Sequence, residues 1–485
     1  MKVRSIKINY LLNIFRVFCS ALIIIATMPY INKVLGAENI GKVEYVNAII
    51  NYFLLFSGLG IPMYGIREIA KVREDVLLRN KVVLELLLIL GITTIITYIF
   101  LFGVLYQFNF FENYRDLLLI MSAMILLTNI GAEWFFQGME DQMYMTIRYV
   151  IVRVISLFLL FYFVKTTSDY LYYASILVLM LTGSNVFNVL YLFKTIDFKE
   201  IKIKELDLKR HLKPLITVFV AAISVNIYLQ LDIFMIGSIA GDKYVGFYSV
   251  SNKLIRFVIT FITVIGAVLL PHLTSLYQKD KEEYFSYLKK AFNYILIISL
   301  PFSILFYAFS ENIILLMAGK EFEPSILTLQ ILSPLCTIVG IAYFIGYLVL
   351  YPQNKEKIYT QAVLFSAAFS LLVNYIMIKI YFQNGAAVIA VLAELLAILT
   401  MFYLSKKDLQ QLNLFDFNSL KILLATVITF FVAILLKGSI NNQGLVLFFV
   451  SITFVFFVFF GILTFLKERT INEIYSHLKG ASHKI

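Results

Sequence analysis

A chain of 485 residues in which 61% are hydrophobic and only 15% charged departs from soluble domains, where about a quarter of residues are charged. Its mean hydropathy of +0.86 excludes a predominantly soluble enzyme or binding module and leaves no segment for a large soluble domain. The formal charge of +11 does not indicate nucleic acid, because the basic residues sit in alternate loops and not in one stripe on a soluble face.

Apolar runs of about 20 residues, enough to cross a hydrocarbon core of roughly 30 Å, recur along the whole chain. The first, Tyr10 to Tyr30, follows Lys2, Arg4 and Lys7. It is too long for a signal-peptide core and reaches Met28-Pro29-Tyr30 without a small-residue cleavage site, so a retained helix is expected. Fourteen spans are expected, at 10–32, 44–66, 82–105, 116–138, 146–164, 170–192, 214–238, 245–270, 290–310, 325–350, 357–379, 384–404, 418–437 and 443–466. All-round apolarity at these lengths means helices, since an open sheet edge has no backbone partners in lipid and a barrel would alternate. Cys19 and Cys336 both fall inside spans and offer neither a disulfide framework nor metal-ligand spacing.

The distribution of Lys and Arg tests the count independently, because one missed span inverts every later loop. With the N-terminus cytoplasmic, 31 of the 41 basic residues fall on the inside and eight outside, with Lys253 and Arg256 within span 8. Arg148 and Arg153 are counted with the inside loop. Both termini are therefore expected in the cytoplasm. The stretch 194–213 carries seven Lys and Arg and reads as a basic cytoplasmic linker between an N-terminal lobe, 1–193, and a C-terminal lobe, 214–405. Two further spans and a cytoplasmic tail fill 406–485.

One internal repeat supports two lobes. Gly36, Gly41 and Asn47 recur as Gly241, Gly246 and Asn252, each offset by 205 residues. The offset contains an even number of spans, so both copies have the same topology and the lobes are related by an axis along the membrane normal.

The run Tyr30-Ile-Asn-Lys-Val-Leu-Gly-Ala-Glu-Asn-Ile-Gly-Lys-Val-Glu-Tyr45, with Ser57-Gly-Leu-Gly-Ile-Pro62 and Gly65-Ile-Arg-Glu-Ile-Ala-Lys-Val-Arg73, resembles the signature of the polysaccharide-biosynthesis flippases, the Wzx-type O-antigen and capsule repeat-unit transporters. Leu231-Asp-Ile-Phe-Met-Ile-Gly237, Gly246-Phe-Tyr248, Asn252-Lys253 and Leu270-Pro271 resemble the family's later motif. The resemblance implies an all-α membrane fold of the multidrug/oligosaccharidyl-lipid/polysaccharide exporter superfamily. Two six-helix lobes would face a central cavity that works by alternating access, with two extra C-terminal helices. It further implies a bacterial cytoplasmic membrane location, undecaprenyl-diphosphate-linked oligosaccharide as partner alongside membrane lipids and polysaccharide polymerase machinery, and no cofactor.

Ionisable groups at membrane depth cost about 2.5 kcal/mol or more and are candidates for function. Asn9, Asn13, Arg16 and Ser20 share a helical face in span 1, and Lys253, Arg256, Thr260 and Thr263 share one in span 8. Fixed cations suit a diphosphate brought into a low-dielectric cavity, and Arg binds phosphate in a fork. Snorkelling to an interface is the alternative for Arg16, Lys253 and Arg256. Asn47, Asn51, Asn129, Gln137, Asn226 and Gln230 can hydrogen-bond a sugar. Of the acidic residues, Glu133 is placed on one face with Asn129 and Gln137, and Glu85, one turn from Lys81, is read as paired there. Glu133, Asp232 and Glu394 have two open uses: charge pairing, or binding a proton or sodium ion whose gradient drives transport.

A polysaccharide polymerase or ligase would need a sizeable external loop, and the external segments are short. The four histidines show no metal-ligand spacing and no P-loop is present. A peptidoglycan-precursor flippase and a drug or cation antiporter, the latter more usually of twelve spans, are the nearer rivals.

Overall fold

The structure, a computed structural model, describes residues 6–197, 201, 203–410, 412, 416–440 and 445–473; the side chains of Asn9 and Asn226 lie outside the description. Every regular element among the described residues is helical. The chain forms two compact units, Met1–Ile24 with Tyr30–Gly246, and Ile25–Pro29 with Phe247–Ile485.

In the first unit the elements are α1 (Ile6–Gly58), α2 (Ile61–Lys71), α3 (Val76–Gly103), α4 (Arg115–Ile130), α5 (Glu133–Gly138), α6 (Gln142–Phe163), α7 (Tyr170–Thr182), α8 (Ser184–Thr195) and α9 (Lys209–Ile239). Helix α10 (Asp242–Lys279) crosses the boundary. The second unit continues with α11 (Lys281–Ala308), α12 (Ser310–Met317), α13 (Ser325–Leu332), α14 (Leu335–Tyr343), a π-helical segment Phe344–Leu350, α15 (Glu356–Leu404), α16 (Lys406–Gln410), α17 (Phe417–Ile440) and α18 (Leu445–Phe465). The first unit thus takes in α9, which the sequence assigns to the C-terminal lobe.

Among the described residues, ten helical stretches are long and apolar enough to cross a membrane. Two of them, Leu11–Lys71 with 61 residues and Glu356–Leu404 with 49, are each at least twice the roughly 20 residues of one crossing. The first is broken at Gly36 (φ 74°, ψ 172°) and again between α1 and α2 at Leu59 and Gly60, the second at Phe382 (φ 51°, ψ −132°). Counting both as pairs and adding α9 and α18 accounts for the fourteen expected spans. Large apolar side chains such as Ile99, Phe158 and Leu372 are exposed, an arrangement that water penalises and lipid requires. The chain is a multi-pass membrane protein.

The repeat glycines have a structural cause. A Cβ on Gly41 would lie 1.7 Å from the carbonyl oxygen of Asp242, and one on Gly246 would lie 2.0 Å from that of Ala37. Ala37 corresponds to Asp242 and Gly41 to Gly246 under the same offset, so the contact is reciprocal, as a two-fold relation between repeats requires. Only glycine lets the two backbones come this close.

Span 4 departs from the continuous helix expected over 116–138. Ala132 is left-handed (φ 42°, ψ 45°) and separates α4 from α5, so Asn129 does not share a face with Glu133 and Gln137. Gly65 and Gly138 let α5 sit hard against α2: a Cβ on the first would meet the Trp134 indole at 2.6 Å and one on the second would meet Ile69 at 2.8 Å. This packing fixes the direction in which α5 presents Glu133.

Candidate functional site

Three helices of the first unit bring ionisable groups together at membrane depth. From α1, Arg16 donates Nη1 to Glu133 Oε1 at 2.5 Å and Nη2 to Asn13 Oδ1 at 3.2 Å. From α5, Gln137 Nε2 donates to the same Glu133 oxygen at 3.5 Å. From α6 come two arginines. Arg148 donates to the Ser184 carbonyl at 2.8 Å, and its guanidinium carbon stands 5.6 Å from the Tyr144 ring centroid and 5.9 Å from that of Phe136. Glu133 and Arg16 both act on it electrostatically. Arg153 donates to Ser20 Oγ at 3.4 Å and lies over the Tyr149 ring at 4.9 Å.

Depth follows from helix geometry. With 1.5 Å per residue, Arg148 lies about 9 Å and Arg153 roughly 16 Å along α6, which places Arg153 near the middle of a hydrocarbon core about 30 Å thick. Arg148 and Arg153 are 5% and 3% exposed, whereas Arg16 and Glu133 form the more accessible edge, with side chains 17% and 37% exposed. Nε of Arg148, and Nε and Nη1 of Arg153, have no hydrogen-bond partner among the described residues. Arg16 and Arg148 therefore share one carboxylate, with Arg153 joined to α1 through Ser20, in an environment where each bare charge is costly. The arrangement can accept an anion, and a guanidinium fork matches phosphate oxygens.

A family model described as "Polysaccharide biosynthesis protein" matches residues 8–277, more than half of the chain. The chain belongs to the polysaccharide biosynthesis protein family. A second model, MatE, matches residues 218–380. A curated relative named "Putative O-antigen transporter", from Escherichia coli (strain K12), is 20% identical over 79% of this chain and 92% of its own. Among solved structures, the lipid II flippase MurJ in an inward closed conformation superposes with a TM-score of 0.68 at 16% identity, covering 95% of this chain and 97% of that one. An inward-facing multidrug resistance MATE family transporter of the MOP superfamily gives 0.64 at 15% identity, covering 82% and 99%. The curated relative and the two solved structures are named as transporters or a flippase, in line with a chain that is not an enzyme.

In this family member the residues expected from sequence fall into three groups. Asn13, Arg16 and Glu133 meet directly, joined by Gln137 and, through Ser20, by Arg153. Asn47 and Asn51 satisfy one another along α1, with Asn51 Nδ2 donating to the Asn47 carbonyl at 2.8 Å. Gln230 and Asp232 are half-buried on α9, Asp232 acting electrostatically on Tyr52. The third group lies in the second unit: Lys253 is half-buried and Arg256 exposed on α10, and Glu394 on α15 acts on Tyr359. Thr260 and Thr263 bond to carbonyls of their own helix, at 2.8 and 3.0 Å.

Two expectations need correction. Arg148 and Arg153 are buried within α6 and are not loop residues, which removes them from the expected inside count; an apolar run like the one around Arg16 surrounds them. Glu85 is not held by Lys81. It is fully buried, accepts from the Asp207 backbone N–H at 2.8 Å and from Arg210 Nη2, and faces His211 Nε2 at 2.9 Å. His211 Nδ1 faces the Tyr64 hydroxyl at 2.8 Å. This cluster ties the start of α9 to α2 and α3.

Proposed function

We propose that this protein is a flippase of the bacterial cytoplasmic membrane that moves polyprenyl-diphosphate-linked oligosaccharide repeat units, of the O-antigen or capsule kind, between leaflets by alternating access. The observation that carries the reading is the excess of guanidinium over carboxylate among Arg16, Arg148, Arg153 and Glu133. A diphosphate supplies the missing negative charge, and forked hydrogen bonds offset its loss of hydration. The names of the relatives point the same way: O-antigen and lipid II are both lipid-linked sugars. In this reading 1–193 and 214–405 act as the two moving lobes joined by the basic linker 194–213, with both termini cytoplasmic. Lys253 and Arg256 extend the cationic character into the second unit, while Asn47, Asn51 and Gln230 offer neutral contacts. Glu133 orients Arg16, which favours charge pairing for it over ion coupling; Asp232 and Glu394 retain both uses.

A drug or cation antiporter, the rival of the same fold, would bring a cation against three arginines, a repulsive encounter at low dielectric. The test is leaflet exchange of a fluorescent undecaprenyl-diphosphate oligosaccharide in proteoliposomes under imposed proton or sodium gradients. Wild type is expected to exchange the lipid and Arg16→Ala to slow it at least about ten-fold, consistent with one charge-assisted hydrogen bond of roughly 1.5–3 kcal/mol. A wild type that leaves the lipid in place and moves an organic cation sinks the reading.

A further inference from the structure

Span 10 carries no arginine. Instead, Tyr343, Tyr347 and Tyr351 follow at four-residue spacing where α14 gives way to the π-helical segment. Their rings stack in series, with centroids 4.8 Å apart at 18° and then 5.0 Å apart at 7°. In an α-helix a four-residue step overshoots one turn by about 40°, so three such rings would fan out. The i→i+5 bonding of a π-helix puts more residues in each turn, so a four-residue step no longer overshoots a full turn. Tyr359 of α15 closes the flank, edge-on to Tyr347 at 5.2 Å and 6.5 Å from Tyr351.

The array is built and not incidental. A Cβ on Gly346 would fall 2.5 Å from the Tyr359 ring, and one on Gly266 would fall 2.0 Å from the Tyr343 ring, so glycine makes room for a tyrosine at two places. The Tyr343 hydroxyl anchors the base by donating to the Thr263 carbonyl at 3.2 Å. The side chains of Tyr347 and Tyr359 hydrogen-bond to each other, and Tyr351, at the open end, is 40% exposed. The carboxylate of Glu394, on the arm of α15 beyond the break at Phe382, acts on Tyr359.

We propose that this tyrosine ladder, with Glu394, is a sugar-binding subsite for the oligosaccharide of the lipid-linked substrate, an inference that rests on the flippase reading. A pyranose has an apolar C–H face and a rim of hydroxyls. The open face of Tyr351 offers the first a partner, while the phenol groups and the carboxylate offer donors and acceptors to the second. The ladder contains no cation, so it is unsuited to the diphosphate that the arginines of the first unit match. A π-helix in a membrane span is itself a deviation of the sort found at functional sites.

The test measures binding of two probes to the purified full chain in detergent: undecaprenyl diphosphate, and the same lipid bearing an N-acetylglucosamine-containing trisaccharide. Wild type is expected to bind the sugar-bearing probe about ten-fold more tightly. The double variant Tyr347→Leu with Tyr351→Leu loses this preference while its affinity for the sugar-free lipid is unchanged. The double variant Tyr347→Phe with Tyr351→Phe, which keeps the rings and their packing, retains part of it. A preference that survives both variants, or a loss of affinity for both probes alike, overturns the proposal and leaves the ladder as packing. Failure of wild type to bind either probe overturns the flippase reading and this subsite with it, whereas tight binding without any sugar preference overturns the subsite alone.

Discussion

Two clusters in the first unit use the same residue types, arginine and glutamate below the membrane surface, and balance them in opposite ways. At Glu85 the carboxylate is saturated: a backbone N–H, a guanidinium and an imidazole converge on one buried side chain, and Arg210, 38% exposed, keeps contact with water. At Glu133 the carboxylate is outnumbered by Arg16 and Arg148, and Arg148 and, further along α6, Arg153 are almost wholly buried with nitrogens left unpartnered. A saturated cluster holds elements in place. An unsaturated one keeps binding capacity in reserve, at a cost that only a ligand or a change of conformation relieves. Charge balance, and not burial alone, separates the two roles.

The largest effect expected from this contrast is on folding. Glu85→Ala removes the common acceptor for Asp207, Arg210 and His211 and is expected to destabilise by about 3 kcal/mol, the lower end of the range for breaking a buried pair, since Arg210 can turn to solvent. Thermal unfolding in detergent measures it. Glu85→Gln, which keeps an acceptor, is expected to lose less than half as much. A Glu85→Ala protein as stable as wild type but unable to exchange lipid would exchange the roles assigned to the two clusters.

A second prediction runs the other way. Arg153→Met replaces a buried, partly unpartnered cation with an apolar side chain of similar length, so stability is expected to hold or to rise by about 1 kcal/mol. Leaflet exchange of the diphosphate lipid is expected to fall at least about ten-fold. Destabilisation with exchange intact would show that the Tyr149–Arg153 stack serves packing.

Much of the fold was legible because lipid imposes a simple rule: every span must be apolar all round and about twenty residues long. The reciprocal crossing of Gly41 and Gly246 was legible as a repeated spacing, although its reason, backbone against backbone, is visible only in three dimensions. Arg16 and Glu133 each stood out as ionisable residues at depth, yet nothing local joins residues 117 positions apart. Arg148 and Arg153 were hidden by the rule that located them, since basic residues near a cytoplasmic boundary are expected in the loop. The left-handed Ala132 that splits Asn129 from Glu133 was not legible, because it depends on the packing of α5 against α2. The π-register behind the tyrosine ladder has no sequence period of its own.

The smallest effect sharpens the comparison from outside the membrane. Glu473 lies beyond the last span, where Lys290 Nζ reaches one oxygen at 2.9 Å and Arg469 Nε the other at 3.1 Å. The hydrogen bond from Lys290, with a further one from Arg469, holds its carboxyl below the usual glutamate range. A folded-state pKa depressed in this way gives stability that is present above the unfolded value of about 4.3 and is lost as pH falls through the folded value. Both partners of the Lys290 pair are about a third exposed, so water already solvates most of each charge and the contribution is expected to stay under about 1 kcal/mol. The unfolding midpoint of wild type should exceed that of Glu473→Gln by a degree or two at pH 7, with the gap closing between about pH 5 and pH 3 and narrowing in 0.5 M salt. A gap that widens on acidification would reverse the sign of the argument. The same pairing of carboxylate with cation that decides folding at Glu85 is thus nearly neutral at Glu473, because what differs between them is how much water each loses.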